Sequence, residues 1–552
     1  MSLKTYTCSI CKLRLQHPRD ISAILSFYAD DNSSSDNNND KDTDDTLVDS
    51  NENYQLQLCC SLCLGIFEPP KTEQISRAIS TLLLAEKFDT HRVSLACTLP
   101  VSFIIREFFL LRAHPRDNVP IYSIKEAFKA VVNQMVVKKL GAGWTVSTSS
   151  EHALPIRSTK SNVGSDGDAT TSTEADSSDV VTINIWITHK QEDTDCSVLL
   201  NYTPQRFRGN LRGKKLNSRK VKPDSQTIFN RSSVIAALRQ IENDFEFFKN
   251  DSLRMPEEDF DSNDDFSLKR VVRQGCDFSI ELSRPPLLIG GRYNKYSRSL
   301  HQSVIGYGSR PERQINNSEC VPACIEDAIV RSCKNVSRSQ SAIFMSSGRE
   351  DVDVRMLGKG RPFIVRLETP RKKQMSTDEL IDLQRQINTA AYPDVAVRDL
   401  ALVQPSDLQT LKDGEETKRK IYRALCAVVS GSSLSDQQID RINCSASDSK
   451  PLLIKQSTPL RVLHRRALIE REKLIYSLSA ARCDTNTISI RVTAQAGTYV
   501  KEFVHGDLGR TRPSLGQIAG LKTTLFDILE LDVEEVELQW PPVICDSCVK
   551  SK

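Results

Sequence analysis

The sequence predicts an α+β protein in two modules, with the main boundary near residue 270. Three observations carry this. At 552 residues the chain is long enough for about two to four domains with sizeable cores. Its composition, 39% hydrophobic and 26% charged, is that of a globular protein. In the C-terminal half, alternating strand-like runs and periodic helix-like runs intermingle, which suggests a sheet with antiparallel pairing. A net charge of +3 neither demands nor excludes nucleic acid, so the placement of charge matters more than its sum.

The elements follow in chain order. MSLKTYTCSICKLRL has no continuous apolar run, so no signal peptide is expected. The most apolar long window, 95–111, contains Arg106 and Glu107, so no membrane span is expected either. Residues 29–53 carry eight Asp, one Glu and one Lys with almost nothing apolar, and are expected to be disordered. SIKEAFKAVVNQMVVKKL, 123–140, has helical periodicity, with Gly141 as its stop. The Ser-, Thr- and Asp-rich 146–179 reads as an insertion. VVTINIWITHK, 180–190, alternates like a strand, and CSVLLNYTP is expected to pair with it.

Residues 206–222, RFRGNLRGKKLNSRKVK, hold eight Lys or Arg and no acid. They read either as a solvated loop or as a contact for nucleic-acid phosphates. A second acidic patch, 256–265, precedes the boundary. Beyond it, STDELIDLQRQI opens with Ser376 and Glu379 at capping-box spacing. VAVRDLALV (395–403), ISIRVTAQ (488–495) and LELDVEEVEL (529–538) read as strands. No repeat with a period of about 20–50 residues is evident, so a solenoid is not expected.

Cys8, Cys11, Cys60 and Cys63 form a CxxC…CxxC set. A two-residue gap lets both sulfurs of each pair reach one tetrahedral zinc. The long interval is mostly the acidic insert, and closure entropy grows only logarithmically with loop length. Cys59 is an alternative ligand, but only Cys60 leaves a two-residue gap to Cys63. Cys545 and Cys548 lack a second pair and read as plain thiols. No HExxH motif is present, and GQIAGLKT lacks the Gly-Lys of a phosphate loop.

In GREDVDVRMLGKGRPF, 348–363, charges interleave with valines. As a strand or tight turn, it puts Arg349, Asp351, Asp353 and Arg355 on one side and Glu350, Val352 and Val354 on the other. An aspartate held between cations stays ionised, as a carboxylate nucleophile or general base requires. A solvated charged hairpin fits the same residues. Geometry alone does not separate Asp351 from Asp353.

GREDVDVRMLGKGRPF, together with GGRYNKYSR, TPLRVLHRR and GTYVKEFVHGDLGRT, resembles the archaeal and eukaryotic tRNA pseudouridine synthase family called Pus ten. The resemblance covers nearly all of 275–540. It implies that 271–552 is a pseudouridine synthase domain around a mixed or antiparallel sheet, and that 1–270 is a zinc-containing, THUMP-like RNA-binding module. It further implies Asp351 as the essential aspartate, Tyr422 packing on the target base, and Tyr499 and Lys501 supporting the aspartate, with Lys501 paired to Asp351. Asp353 is then expected to pair with Arg355 or Arg349. Arg461, His464, Arg465 and Arg466 would touch RNA phosphates.

The implied reaction isomerises uridine to pseudouridine in the T-arm of tRNA, at position 55, 54 or both. It uses structural zinc and no organic cofactor, in a monomer of the nucleus or cytoplasm. Two other readings stay open at this point. One is a magnesium-dependent nuclease using Asp351 and Asp353 as paired ligands. The other is a non-catalytic zinc-containing RNA-binding protein.

Overall fold

The computed structural model describes residues 7–17, 20–29, 59–112, 122–148, 179–190, 192, 195–196, 199, 229–250, 275–303, 322–429, 434–464, 466–521 and 526–542. Most of the expected inserts 29–53 and 146–179, the basic run 206–222, the patch 256–265, the boundary at 270, Arg465 and the cysteines at 545 and 548 lie outside them; the described ends of the inserts are ordered, Ala29 closing a helix and 146–148 lying in a strand. The chain divides into two compact units, Met1–Arg284 and Pro285–Lys552.

The first unit holds a four-stranded sheet. Its strands are β1 (Arg92–Thr98), β2 (Thr145–Thr148), β3 (Val181–Thr188) and β4 (Asp277–Ser283), in the order β2-β1-β3-β4. β1 runs parallel to β2 and β3, and β4 closes the edge antiparallel to β3. Every second residue of β3 is buried up to Ile187, as its alternation requires. CSVLLNYTP does not pair with β3, because β1 and β4 take both edges; its described residues Cys196 and Leu199 are helical. The helix Ile124–Leu140 begins where expected: the Ser123 hydroxyl accepts the Glu126 N–H, and the Gly141 N–H donates to Val137 O at 3.0 Å. It packs with the helix Pro69–Glu86 over a core containing Phe67, Ile75, Phe128 and Val132.

The second unit is built on ten strands. They are β5 (Leu287–Lys295), β6 (Ser341–Ser346), β7 (Arg355–Glu368), β8 (Val395–Leu402), β9 (Lys420–Val428), β10 (Leu452–Ser457), β11 (Glu470–Arg482), β12 (Thr487–Ala494), β13 (Thr511–Arg512) and β14 (Phe526–Val536). Nine follow the order β13-β10-β11-β12-β9-β14-β7-β5-β8, and β6 pairs with β7. Every described pair is antiparallel except β14 with the start of β7, so the sheet is mixed. The helices Ile325–Ser337 and Thr377–Ala390 pack together, the second opened by the expected box of Ser376 and Glu379.

Two glycines let β7 pass close to its neighbours. At Gly358, φ is +56°, and a Cβ would stand 2.0 Å from Glu534 O. At Gly360, φ is +82°, and a Cβ would stand 2.7 Å from Tyr293 O. Neither position admits a side chain, so the spacing of these glycines fixes how β7 leaves the loop before it.

Candidate active site

That loop is residues 348–354, between β6 and β7, and it is a turn rather than a strand. The Val354 N–H donates to Asp351 O at 3.1 Å and closes it. Glu350 and Val354 point inward and are buried, whereas the side chains of Asp351 and Asp353 are 41% and 65% exposed. The expected division into two sides therefore holds for these four residues.

The residues before and within GGRYNKYSR hold the loop from behind. Tyr293 and Lys295 stand two apart on β5, so both side chains leave the same face. The Tyr293 hydroxyl donates to the Glu350 carboxylate, 3.0 Å from Oε1, and Arg361 Nε donates to Glu350 Oε2 at 2.7 Å. Gln302 Nε2 in turn donates to the Tyr293 hydroxyl at 2.8 Å. Burial, helped by the Glu350 charge, holds the Tyr293 phenol well above its ordinary pKa. Lys295 is fully buried, and its ammonium donates to the carbonyls of Asp351 at 3.0 Å and Val352 at 2.7 Å. Burial lowers its pKa, against Glu350, Asp353 and Asp351, which raise it. Arg298 Nη1 donates to Asp353 O at 2.9 Å. Three consecutive carbonyls are thus bound by two cations, and the carboxylates of Asp351 and Asp353 are left to face outward.

The cation bonded to Asp351 is Arg461. Its Nη1 donates to Asp351 Oδ2 at 3.0 Å, and its Nε donates to Glu502 Oε1 at 2.7 Å. Glu502 is buried at 1% exposure, on the helix Val500–His505. Burial alone would lower the Arg461 pKa, but Glu502, Asp351 and Tyr499 outweigh it and raise it.

Lys501 differs from expectation. Its ammonium grips both oxygens of Asp353, at 2.9 and 2.7 Å, and stands 3.6 Å from Asp351 Oδ2. Lys501 therefore bridges the two aspartates and binds Asp353 more closely. Burial opposes ionisation of Asp353, but the Lys501 contact more than compensates and lowers its pKa. Asp353 does not pair with Arg355, because Arg355 is engaged by Asp532 at 2.6 and 2.8 Å.

Tyr499 caps the helix that carries Lys501 and Glu502, and its backbone exchanges two hydrogen bonds with Gln456, both 2.9 Å. Tyr422 is half-buried on β9 against the main core, and burial raises its pKa. His464 and Arg466 are exposed. The structure thus brings Asp351, Lys501 and Arg461 together, with Tyr499 beside Arg461. Sequence reading missed Glu502, Lys295, Arg298 and the Glu350 network. The only signal for the last three is their place inside GGRYNKYSR and GREDVDV.

In the first unit, Cys8, Cys11, Cys60 and Cys63 are all buried, and their sulfurs lie within 4.8 Å of one another. Cys8 Sγ and Cys63 Sγ are 3.6 Å apart. Sulfurs about 2.3 Å from a tetrahedral zinc would stand ~3.8 Å from each other, so this thiol set fits such an ion.

Comparison with known proteins supplies the class. The sequence profile described as "Pus10, C-terminal" matches residues 288–537. The chain is 32% identical over 501 residues to the tRNA pseudouridine synthase Pus10 of Xenopus laevis, covering 89% of this chain and 82% of that one. It is 35% identical over 259 residues to the protein of the same name from Thermofilum pendens, covering 47% of this chain and 54% of that one. A crystal structure of a Cbf5-Nop10-Gar1 complex matches at 16% identity, over 44% of this chain and 57% of that one, with a TM-score of 0.22. That likeness is too slight to support an argument. The matching profile and the named relatives define a pseudouridine synthase, an isomerase. The archaeal match spans about half of this chain, whereas the vertebrate match extends over most of it. The chain belongs to the Pus10 family of tRNA pseudouridine synthases.

Proposed function

We propose that this chain isomerises uridine to pseudouridine in the T-arm of tRNA, at position 55, 54 or both, with Asp351 as its nucleophile. The observation that carries this reading is the outward-facing Asp351 carboxylate, accepting from Arg461 at 3.0 Å on a loop whose carbonyls are already bound. An ionised carboxylate kept in one orientation can attack the ribose C1′, or can remove the 2′ proton to give a glycal. Either route breaks the N1–C1′ bond, turns the base and forms the C5–C1′ bond. N1 ends protonated, and the C5 hydrogen leaves to solvent, so no atoms are lost and no cofactor is consumed.

Reaching C1′ requires the nucleotide to leave its stack, which costs a few kcal/mol. Tyr422 is proposed to pack on the displaced base, where aromatic stacking returns roughly 1–3 kcal/mol. Tyr499 and Lys501 are proposed to support the loop from the side of the helix Val500–His505, Lys501 through Asp353 as much as through Asp351. The first unit is proposed to be a THUMP-like RNA-binding module. Its four cysteines are proposed to hold a structural zinc that ties residues 8–11 to residues 60–63.

The test is a pair of near-isosteric variants. Asp351→Asn should fold, bind tRNA and make no pseudouridine. Asp353→Asn should keep measurable activity, because it loses a contact to Lys501 and not the attacking group. Release of tritium from C5-labelled uridine in tRNA, in a single turnover with EDTA present, reads the reaction. Full activity in Asp351→Asn, or abolition in Asp353→Asn alone, overturns the assignment.

A further inference from the structure

The helix that carries Lys501 and Glu502 ends in an unusual turn. Four consecutive residues, Gly506, Asp507, Leu508 and Gly509, have positive φ of 79°, 44°, 54° and 84°. Glycine adopts this conformation freely and leucine does not. Asp507 is needed there. It is buried, its Oδ2 accepts the Leu460 N–H at 3.2 Å, and its own N–H donates to His505 Nδ1 at 3.0 Å. Leu508 has no such reason. It is 88% exposed, so it repays its backbone conformation with no burial. Glycine or asparagine would suit the turn better. A leucine held in this conformation, in water, is explained by what it meets outside the fold.

Its surroundings point to RNA. Leu460, bonded to Asp507, is 44% exposed, and the next residue, Arg461, reaches Asp351. Arg510 braces the turn from within, its Nη2 donating to Thr458 O at 2.6 Å, while the exposed Arg512 follows it and donates its Nε–H to Gly509 O at 2.7 Å. An apolar tip fixed on a braced turn, with the exposed Arg512 on the same turn and the nucleophile one arginine away, suits insertion into a base stack. The tip can fill the gap left by an extruded base while Arg512 meets the backbone. We propose that Leu508 is the wedge that occupies the stack when the target uridine turns toward Asp351. This rests on the pseudouridine synthase reading above, and it assigns Leu508 a positioning role rather than a chemical one.

Three variants of the full chain separate the alternatives. Leu508→Asn suits the left-handed backbone and is similar in size but polar. Leu508→Gly suits it and has no side chain. Leu508→Met keeps an apolar tip. Thermal midpoints of the Asn and Gly variants should equal or exceed that of the wild type. Their single-turnover rates at saturating tRNA should fall about tenfold or more. Leu508→Met should stay near the wild-type rate. Binding of tRNA should change little in all three. Unchanged rates in Asn and Gly, or a loss seen only in affinity, overturn the wedge; the second outcome would mark Leu508 as a docking contact, for RNA or for protein.

A second readout separates this from failure of the functional reading. In the Asp351→Asn background, tRNA carrying 2-aminopurine beside the target uridine should brighten on binding as its stack opens. Adding Leu508→Asn should remove most of that gain. Brightening that does not depend on residue 508 sinks the wedge. Brightening that does, from a protein whose unmutated form releases no tritium, supports the wedge and fails the isomerase.

Discussion

Replacing Arg461 by Met tests the site most sharply, because Arg461 joins an exposed partner to a buried one. On the exposed side it loses a charge-assisted hydrogen bond of 3.0 Å to Asp351. Such a bond is worth about 1.5–3 kcal/mol when dry. Here both ends are about 40% exposed, so water screens it to roughly 1 kcal/mol. If that support acts in the transition state, the single-turnover rate falls about fivefold to tenfold. Lys501→Met removes a 3.6 Å contact to Asp351 and a closer grip on Asp353, which is not the attacking group, and should cost less. On the buried side Glu502, 1% exposed, loses its hydrogen bond at 2.7 Å. An orphaned buried acceptor costs about 1–3 kcal/mol, or several degrees in thermal midpoint for a unit of this size. Replacing both partners by apolar side chains is nearly neutral, so Arg461→Met/Glu502→Met should regain the midpoint and not the rate. Calorimetry and tritium release read the two effects separately. A double variant that regains activity, or a larger loss in Lys501→Met than in Arg461→Met, would refute this account of the site.

Two further outcomes follow from buried groups. Cys60→Ser should abolish zinc in elemental analysis of freshly purified protein and destabilise the first unit, leaving the second unit's melting unchanged; wild-type protein without zinc ends the idea. Lys420 is buried on β9, and its pKa is pushed down to about 8 from the ordinary 10.5. The folded state therefore gives up this proton before the unfolded chain does. The penalty for burying the charge is full below pH 8 and fades as pH rises toward 10.5. Lys420→Met should be more stable than wild type at pH 7, by on the order of 1–3 kcal/mol, and the gap should close across that window. Urea unfolding at pH 7 and pH 10 measures it, and a less stable Met variant at pH 7 contradicts the reasoning.

What the sequence disclosed depended on the range of the interaction. The box of Ser376 with Glu379 and the stop at Gly141 are local, and the residues alone predicted them. The runs at 180–190, 395–403, 488–495 and 529–538 are strands because alternation is a property of each segment. Partner choice is not. CSVLLNYTP was expected beside β3, yet a strand almost a hundred residues further on takes that edge, as Trp186 pairing with Ser279 shows. In the site, Lys501 lies 148 residues from Asp353 and Arg461 lies 110 from Asp351, so nothing in the spacing says which cation meets which acid. Arg461 reads as one more residue of a basic turn until the fold sets it against Glu502. Glu502 itself, in VKEFVH, looks like an ordinary helix-surface charge.

The sheet order has a consequence for how the protein is made. β14 lies between β7 and β9, and it pairs with Arg355, the residue that ends the Asp351 loop. Roughly 160 residues separate the end of β7 at Glu368 from the start of β14 at Phe526. At a ribosomal pace of ~5–20 residues per second, β7 waits about 8–30 s and β9 about 5–20 s for the strand that joins them. Until it arrives, β9 presents an open edge along Lys420–Val428 and β7 only at Arg355 and Met356, the surface on which chains pair wrongly with one another. Asp532, which will hold Arg355 and Arg298, is also still unmade. A nascent chain therefore carries Asp351 long before it has the strand that braces its loop. Stalling or cleavage between residues 429 and 525 should yield aggregates, not a weak enzyme.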